Sequence, residues 1–207
     1  MPLVLKSVPP SQGLRWLRDG WRLFGRYPLA FSAMFAAFLF AVLLASLVPV
    51  VGPVVMLAAL PMLSLGFMAA AEAALGGGPV HPGYYLRPLR GDPQRRRSLL
   101  VLCSAYGAAA IAIMLASDLI DDGAFARLQH MLAEGDQQKE IDALLADPSF
   151  TWGLIARFGL VTLLSVPFWH APALVHWGGQ GPWQALFSST LAVWRCKGAF
   201  LAYMLGW

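Results

Sequence analysis

Four long apolar segments constrain the fold of this chain more than any other feature. A helix needs about 20 residues to cross the hydrocarbon core of a bilayer. The first segment, 29–51, holds 23 residues without an ionisable side chain, and the others are 53–75, 98–117 and 151–176. With 58% hydrophobic and 13% charged residues, the chain lies outside the range of ordinary soluble domains. We therefore expect an all-α, polytopic helical membrane bundle that forms a single membrane domain over residues 1–207.

Two aromatic segments flank the apolar ones and are typical of interfacial helices. Residues 11–27 alternate apolar and basic side chains at helical spacing, which suits the head-group layer of an anionic leaflet. The charges could instead serve only to fix orientation. Residues 182–194 form a similar aromatic segment. The candidate membrane-surface residues are Arg15, Trp16, Arg18, Trp21, Arg22 and Arg26 in the first segment, and Trp183 and Trp194 in the second.

Small residues recur at four-residue spacing in the first three spans, and such faces let helices approach closely in lipid. They are Ala33, Ala37, Ala41 and Ala45, then Gly66, Ala70 and Ala74, then Ala108, Ala112 and Ala116. Proline and glycine in 49–53 predict a tight hairpin between the first two spans. Glu72, near the end of the second span, is interpreted either as snorkelling to the interface or as part of an ion or proton site.

The segment 118–150 differs from the rest of the chain because it is acidic. It holds eight acidic and two basic residues, a net charge of −6. Apolar residues at helical spacing on either side of Gly135 predict two short amphipathic helices. This acidic hairpin is interpreted either as a surface for a protein partner or as a solvated connector.

The distribution of basic residues predicts the orientation. With the N-terminus in the cytoplasm, the cytoplasmic segments hold twelve lysines and arginines and the outer segments hold two, as the positive-inside rule requires. The same excess explains the net charge of +4, so we expect contact with anionic lipids on the cytoplasmic face and no nucleic acid. Cys103 and Cys196 both fall near that side, which argues against a disulfide.

Arg157 lies inside the fourth span, where an isolated charge is costly. It can snorkel to the outer interface, or it can pair with acidic residues at the outer end of the third span. The candidate partners are Asp118, Asp121 and Asp122. A structural ion pair and a role in transport are the two interpretations.

Two prolines predict a kink or break in the inner half of the fourth span, where freed backbone carbonyls could build a site. Pro167, His170, Pro172 and His176 are therefore candidate binding or coupling residues, together with Arg157. The two histidines lie six positions apart, about 240° around a helix, so a hydrogen-bonded structural role is the other interpretation. The chain contains no recognisable catalytic or metal-binding motif, and we expect neither enzymatic activity nor a cofactor or metal.

Three motifs carry a resemblance to a known group of proteins. They are Pro-Phe-Trp-x-Ala-Pro-Ala-Leu-Val at 167–175, Pro-Trp-Gln-Ala-Leu-x-x-Ser at 182–189, and Gly-Trp-x-Leu-Phe-x-x-x-Pro at 20–28. With them the chain resembles a family of uncharacterised bacterial inner-membrane proteins. It is more distantly similar to the integral-membrane domain of some glycerophosphodiester phosphodiesterases. The resemblance implies a multi-pass inner-membrane location and supplies no catalytic residues.

The chain ends in a short apolar run, 199–207, which predicts the start of a fifth span. Such a run fits either a fragment of a longer protein or a half-inserted terminal helix. The leading functional hypothesis is a non-enzymatic scaffold or accessory subunit of the inner membrane. The alternative is a small transporter or lipid-handling protein that uses the proline-broken fourth span.

Overall fold

The structure is a computed structural model that describes residues 6–49, 51–135 and 138–206. Val50, Asp136 and Trp207 belong to predicted segments but lie outside the described residues.

The described part of the chain is helical and contains no strand, so the predicted all-α class is confirmed. Its helices are α1 (Ser11–Arg26), α2 (Pro28–Ser46), α3 (Val51–Leu75), α4 (Pro93–Asp121), α5 (Ala124–Glu134), α6 (Gln138–Leu145), α7 (Pro148–Phe168), α8 (Ala171–His176), α9 (Pro182–Arg195) and α10 (Lys197–Leu205). Two short 3₁₀ helices, Pro82–Tyr85 and Arg87–Arg90, join α3 to α4. Within the described residues, four stretches are long and apolar enough to cross a membrane: α2, α3, α4, and α7 together with α8.

The helix ends differ from the predicted span ends. The spans were predicted from their apolar residues, whereas a helix ends where its backbone hydrogen bonds end. The first spanning helix ends at Ser46 rather than at 51. The third extends in both directions, from Pro93 to Asp121. Proline suits the first turn of a helix, where its missing N–H needs no partner, and Asp92 caps this start by accepting the Gln94 N–H at 3.4 Å.

The chain divides into two compact units. The first unit comprises residues 1–107 and 166–207, and the second comprises residues 108–165. The predicted acidic hairpin, 118–150, lies wholly in the second unit.

In the first unit, the small-residue face of α3 is buried, as predicted. Ala70 and Ala74 are inaccessible, and a side chain at Gly66 would collide with the ring of Tyr85. The Tyr85 hydroxyl donates a hydrogen bond of 2.9 Å to the carbonyl of Met34 in α2. This contact ties the 3₁₀ segment to the first spanning helix.

The prediction of which face of the third span packs against other helices is wrong. Ala108, Ala112 and Ala116 are exposed, whereas Ala110 and Ser117, on the opposite side of α4, are buried. Small residues occur on both sides of this helix, so their spacing could not select the packed one.

The amphipathic helix α1 packs against α10. A side chain at Gly13 would overlap the backbone of Ala199, and the rings of Trp16 and Phe200 meet edge to face with centroids 5.6 Å apart. The arginines of α1 remain exposed. The helix predicted to lie in the head-group layer therefore also has a protein contact.

Candidate functional site

In the second unit, Arg157 of α7 reaches two aspartates at the end of α4. Its Nη2 donates to Asp118 Oδ1 at 2.5 Å and lies 3.4 Å from Asp121 Oδ2. Only 9% of the Arg157 side chain and none of the Asp121 side chain is exposed, whereas 42% of the Asp118 side chain is exposed. One positive and two negative charges thus meet in a largely buried position.

Glycine and an aromatic ring shape this cluster. A Cβ at Gly153 would lie 2.6 Å from Asp121 Oδ2, so only glycine lets α7 approach the aspartate this closely. The guanidinium carbon of Arg157 lies 4.2 Å from the ring centroid of Phe125 in α5, a cation–π distance. The arginine therefore contacts both α4 and α5 from α7.

The turn after α4 decides which aspartates Arg157 meets. Asp121 Oδ1 accepts the Gly123 N–H at 3.1 Å, which fixes the carboxylate at the helix end. Asp122 and Gly123 adopt positive φ angles of 49° and 71°. Of the three candidate partners, the structure brings Asp118 and Asp121 to the arginine, and it leaves Asp122 exposed in the turn.

The same cluster contains polar atoms without a protein hydrogen bond. Asp121 Oδ2 and Arg157 Nη1 are both buried and both lack a hydrogen-bond partner in the described part of the chain. A buried charge is tolerated when it is paired, so the charge contact between these side chains must remain intact. The cluster therefore holds α4 and α7 together.

At the start of α7, Asp147 and Ser149 form a second local contact. Asp147 Oδ1 accepts both the backbone N–H and the hydroxyl of Ser149 at 2.8 Å. These hydrogen bonds lower the pKa of the Asp147 carboxyl, because they stabilise its charged form. The exposed carboxylate thus caps the N-terminus of the helix that carries Arg157.

In the first unit, the fourth span breaks at Trp169 and His170, between α7 and α8. The helix passes through Pro167 and ends one residue later. The hydroxyl of Ser189 in α9 fills the opened turn: it accepts the His170 N–H at 3.0 Å and donates to the Val166 carbonyl at 3.1 Å. These backbone groups would bond directly in an unbroken helix, so the hydroxyl replaces the lost bond.

The two histidines of this segment have different neighbours. The His170 ring lies 5.6 Å from the ring of Phe200, which also meets Trp169 at 5.8 Å. The His176 ring meets the Trp177 ring edge to face, with centroids 5.1 Å apart, and the His176 carbonyl accepts a hydrogen bond of 2.9 Å from Arg95. Pro172 is fully buried.

Glu72 also makes a contact between helices. Its Oε2 accepts the indole N–H of Trp177 at 3.3 Å, which links the end of α3 to the end of α8. Within the described residues, no three His, Cys, Asp or Glu side chains are grouped so that they could hold a metal ion.

The candidate membrane-surface tryptophans are exposed to different degrees. Trp183 and Trp194 are each 70% exposed on α9, and Trp21 is 57% exposed on α1. Trp16 is partly buried against Phe200. The exposed rings fit a bilayer interface, where aromatic side chains concentrate.

Sequence reasoning did not assign these contacts to several residues that build them. Ser189, Phe125, Gly153 and Phe200 each complete a contact between segments distant in the chain. For Gly153 and Phe125 a signal existed, because both lie near Arg157 or its predicted partners in sequence. Ser189 ends the motif at 182–189, but nothing in that motif indicated that its hydroxyl would bond the backbone of another helix.

Comparison with known proteins gives one informative match. The chain is 35% identical over 206 residues to a probable inner membrane protein of Burkholderia thailandensis, and the match covers 99% of this chain and 75% of that protein. No family model matches the chain, and no solved structure matches it. The chain therefore belongs to the family of this probable inner membrane protein, and it is an integral inner-membrane protein whose described residues include four helical stretches able to span the bilayer.

Proposed function

We propose that the protein is a non-enzymatic scaffold or accessory subunit of the inner membrane. The observation that supports this role is the use made of its polar side chains. Arg157 pairs with two aspartates, the Ser189 hydroxyl bonds the backbone at the helix break, and Glu72 accepts a hydrogen bond from the Trp177 indole. These three polar side chains are thus occupied in contacts between helices, as expected for a scaffold.

We further propose that the N-terminus lies in the cytoplasm. The support is the distribution of twelve lysines and arginines on one side and two on the other, which matches the positive-inside rule at each crossing. In this orientation the basic face of α1 meets the anionic lipids of the cytoplasmic leaflet, and the acidic hairpin lies outside.

The acidic hairpin is the proposed surface for a protein partner. Its helices expose large apolar side chains: Leu132 is 64% exposed and Leu145 is 49% exposed. The segment has a formal net charge of −6, of which Asp118 and Asp121 face Arg157, and the remaining acidic residues with the exposed apolar side chains suit a partner that offers apolar contacts within a basic rim. The solvated-connector interpretation predicts no such partner.

Site-specific photocrosslinking in membranes tests the scaffold role. A photoreactive amino acid at position 132 should give a discrete protein adduct, because this side chain lies on the proposed partner surface. The same amino acid at position 115 is the matched control, since Leu115 is 61% exposed on the spanning helix α4 and should meet lipid. Absence of a protein adduct at 132, or the same adducts at both positions, would contradict the proposal.

The transporter or lipid-handling alternative depends on the break in the fourth span. It predicts loss of function with an intact fold when His170 or Arg157 is changed. The Ser189 hydroxyl already satisfies the backbone groups at the break, so this alternative has lost its main motivation. The similarity to the membrane domain of glycerophosphodiester phosphodiesterases finds no support among the matches and stays a prediction from the three motifs.

A further inference from the structure

A cleft with polar and apolar lining residues lies in the first unit where α4 and α9 begin. Its larger part has a volume of about 500 Å³ and its smaller part about 210 Å³, and Gln94 and Ser98 line both. Arg97, Val101, Pro93 and Pro182 complete the larger part. A cleft of this size accommodates a small organic ion.

The lining of the larger part combines polar and apolar residues. Arg97, Gln94 and Ser98 supply hydrogen-bond donors, whereas Val101 and Pro182 are apolar. A guanidinium group is suited to phosphate because its planar fork donates two parallel hydrogen bonds. The apolar part would accommodate the hydrocarbon that follows a head group.

The balance of charge in the cleft is positive. Arg95 and Arg97 both line it, and the opposing charge is that of Asp92. The Asp92 carboxylate lies 4.0 Å from Arg95 and also caps α4. Arg97 thus adds a positive charge that Asp92 does not offset.

The start of α9 lies at the edge of the cleft. Gly181 precedes this 14-residue helix and provides no side-chain cap, and Pro182 at its first position has no N–H. Both residues line the cleft. The amides of the next two residues are the donors that a helix leaves unsatisfied at its N-terminus, where anions are favoured.

We propose that this cleft binds a phosphate group, either the phosphodiester head group of an anionic lipid or a free phosphate ion, with Arg97 as its main charged contact. Trp183, exposed one residue beyond Pro182, places the cleft beside a side chain typical of the bilayer interface. The proposal does not depend on the scaffold role, because it concerns a different surface and a different class of partner.

Two matched variants test the site. Arg97→Gln removes the guanidinium that lines the cleft, and Arg96→Gln removes an equally exposed guanidinium from the adjacent position outside it. Both variants lower the net charge by one, so a general electrostatic effect on lipid binding would be the same in each. Because both arginines are exposed, the melting temperature without lipid should stay at the wild-type value.

Native mass spectrometry of the purified chain would measure binding of phosphatidylglycerol against phosphatidylcholine. Losing one charge-assisted hydrogen-bonding group should weaken phosphatidylglycerol binding about tenfold or more in Arg97→Gln and less than twofold in Arg96→Gln. A parallel thermal-shift titration with inorganic phosphate identifies the source. A stabilisation by phosphate that Arg97→Gln abolishes would support the site with a free ion as its ligand.

The proposal is overturned if both variants weaken lipid binding equally, since the effect would then be general electrostatics. It is also overturned if neither lipid nor phosphate distinguishes Arg97→Gln from the wild type.

Discussion

Replacing Gly153 with alanine should destabilise the protein by forcing the ion-pair cluster apart. The added methyl group would lie 2.6 Å from Asp121 Oδ2, well inside van der Waals contact. Because the obstructing atoms are the Cβ and the carboxylate of Asp121, which faces Arg157, relief requires Asp121 or α7 to move. Either movement lengthens the 3.4 Å contact between Arg157 Nη2 and Asp121 Oδ2.

The expected loss follows from three opposing contributions. Overpacking a close contact costs about 1–3 kcal/mol, and separating a buried ion pair costs up to about 3–5 kcal/mol. Alanine regains about 1 kcal/mol of helix propensity over glycine. The cost of separation stays below this upper limit, because Arg157 keeps Asp118 as a second carboxylate within reach, and 42% of the Asp118 side chain is exposed. We therefore expect a net loss of roughly 2–4 kcal/mol.

Gly159→Ala is the matched control on the same helix. A side chain at Gly159 would meet nothing within 4 Å, so this variant should be neutral or stabilised by up to about 1 kcal/mol. Thermal unfolding in mild detergent, with size-exclusion chromatography to check the folded state, compares the two. Equal melting temperatures for Gly153→Ala and Gly159→Ala would refute the proposed close approach.

Three further predictions concern single contacts. Arg157→Leu should lower the free energy of unfolding by about 3–5 kcal/mol, since it leaves a buried aspartate unpaired. The melting temperature of the detergent-solubilised protein should fall accordingly, and an unchanged melting temperature would count against a structural ion pair. Tyr85→Phe should lose about 1 kcal/mol at neutral pH, whereas Tyr84→Phe should lose less. Burial raises the pKa of Tyr85 from 10.0 to about 12. The Tyr85 hydroxyl therefore stabilises the protein fully below pH 10, and this stabilisation disappears as the pH rises through 12. In this pH range the free energy of unfolding should depend less on pH in Tyr85→Phe than in the wild type. Ser189→Ala should destabilise by about 1–3 kcal/mol because two backbone groups lose their partner, whereas Ser188→Ala should remain within about 0.5 kcal/mol of the wild type, as measured by thermal unfolding.

The membrane class and the spanning segments could be predicted because length and apolarity alone determine whether a helix fits a bilayer. The candidates for the Arg157 pair could also be named, because a charge in an apolar span needs an opposite charge or a path to the interface. The choice between Asp121 and Asp122 could not, since it depends on the left-handed turn at Asp122 and Gly123. A sequence gives no simple measure of such a turn.

The details of packing were less predictable. α4 carries small residues on two faces, and only its neighbours decide which face is buried. The helix break was predicted from Pro167 and Pro172, but the hydroxyl that fills it belongs to Ser189, a residue of a different helix. Contacts of this kind depend on how distant segments meet, which local patterns do not encode.

The central claim is a cytoplasmic N-terminus with an outward-facing acidic hairpin. Cysteine labelling from one side of the membrane tests it most directly. Cys103 and Cys196 would be replaced by alanine, and single cysteines introduced at Ser7, Gly91 or Gln129, all exposed positions. A membrane-impermeant maleimide is then applied to intact spheroplasts. We predict labelling at position 129 in intact cells, and at positions 7 and 91 only after the membrane is disrupted. Labelling at positions 7 and 91 in intact cells, with position 129 protected, would contradict the proposed orientation and with it an outward-facing acidic hairpin.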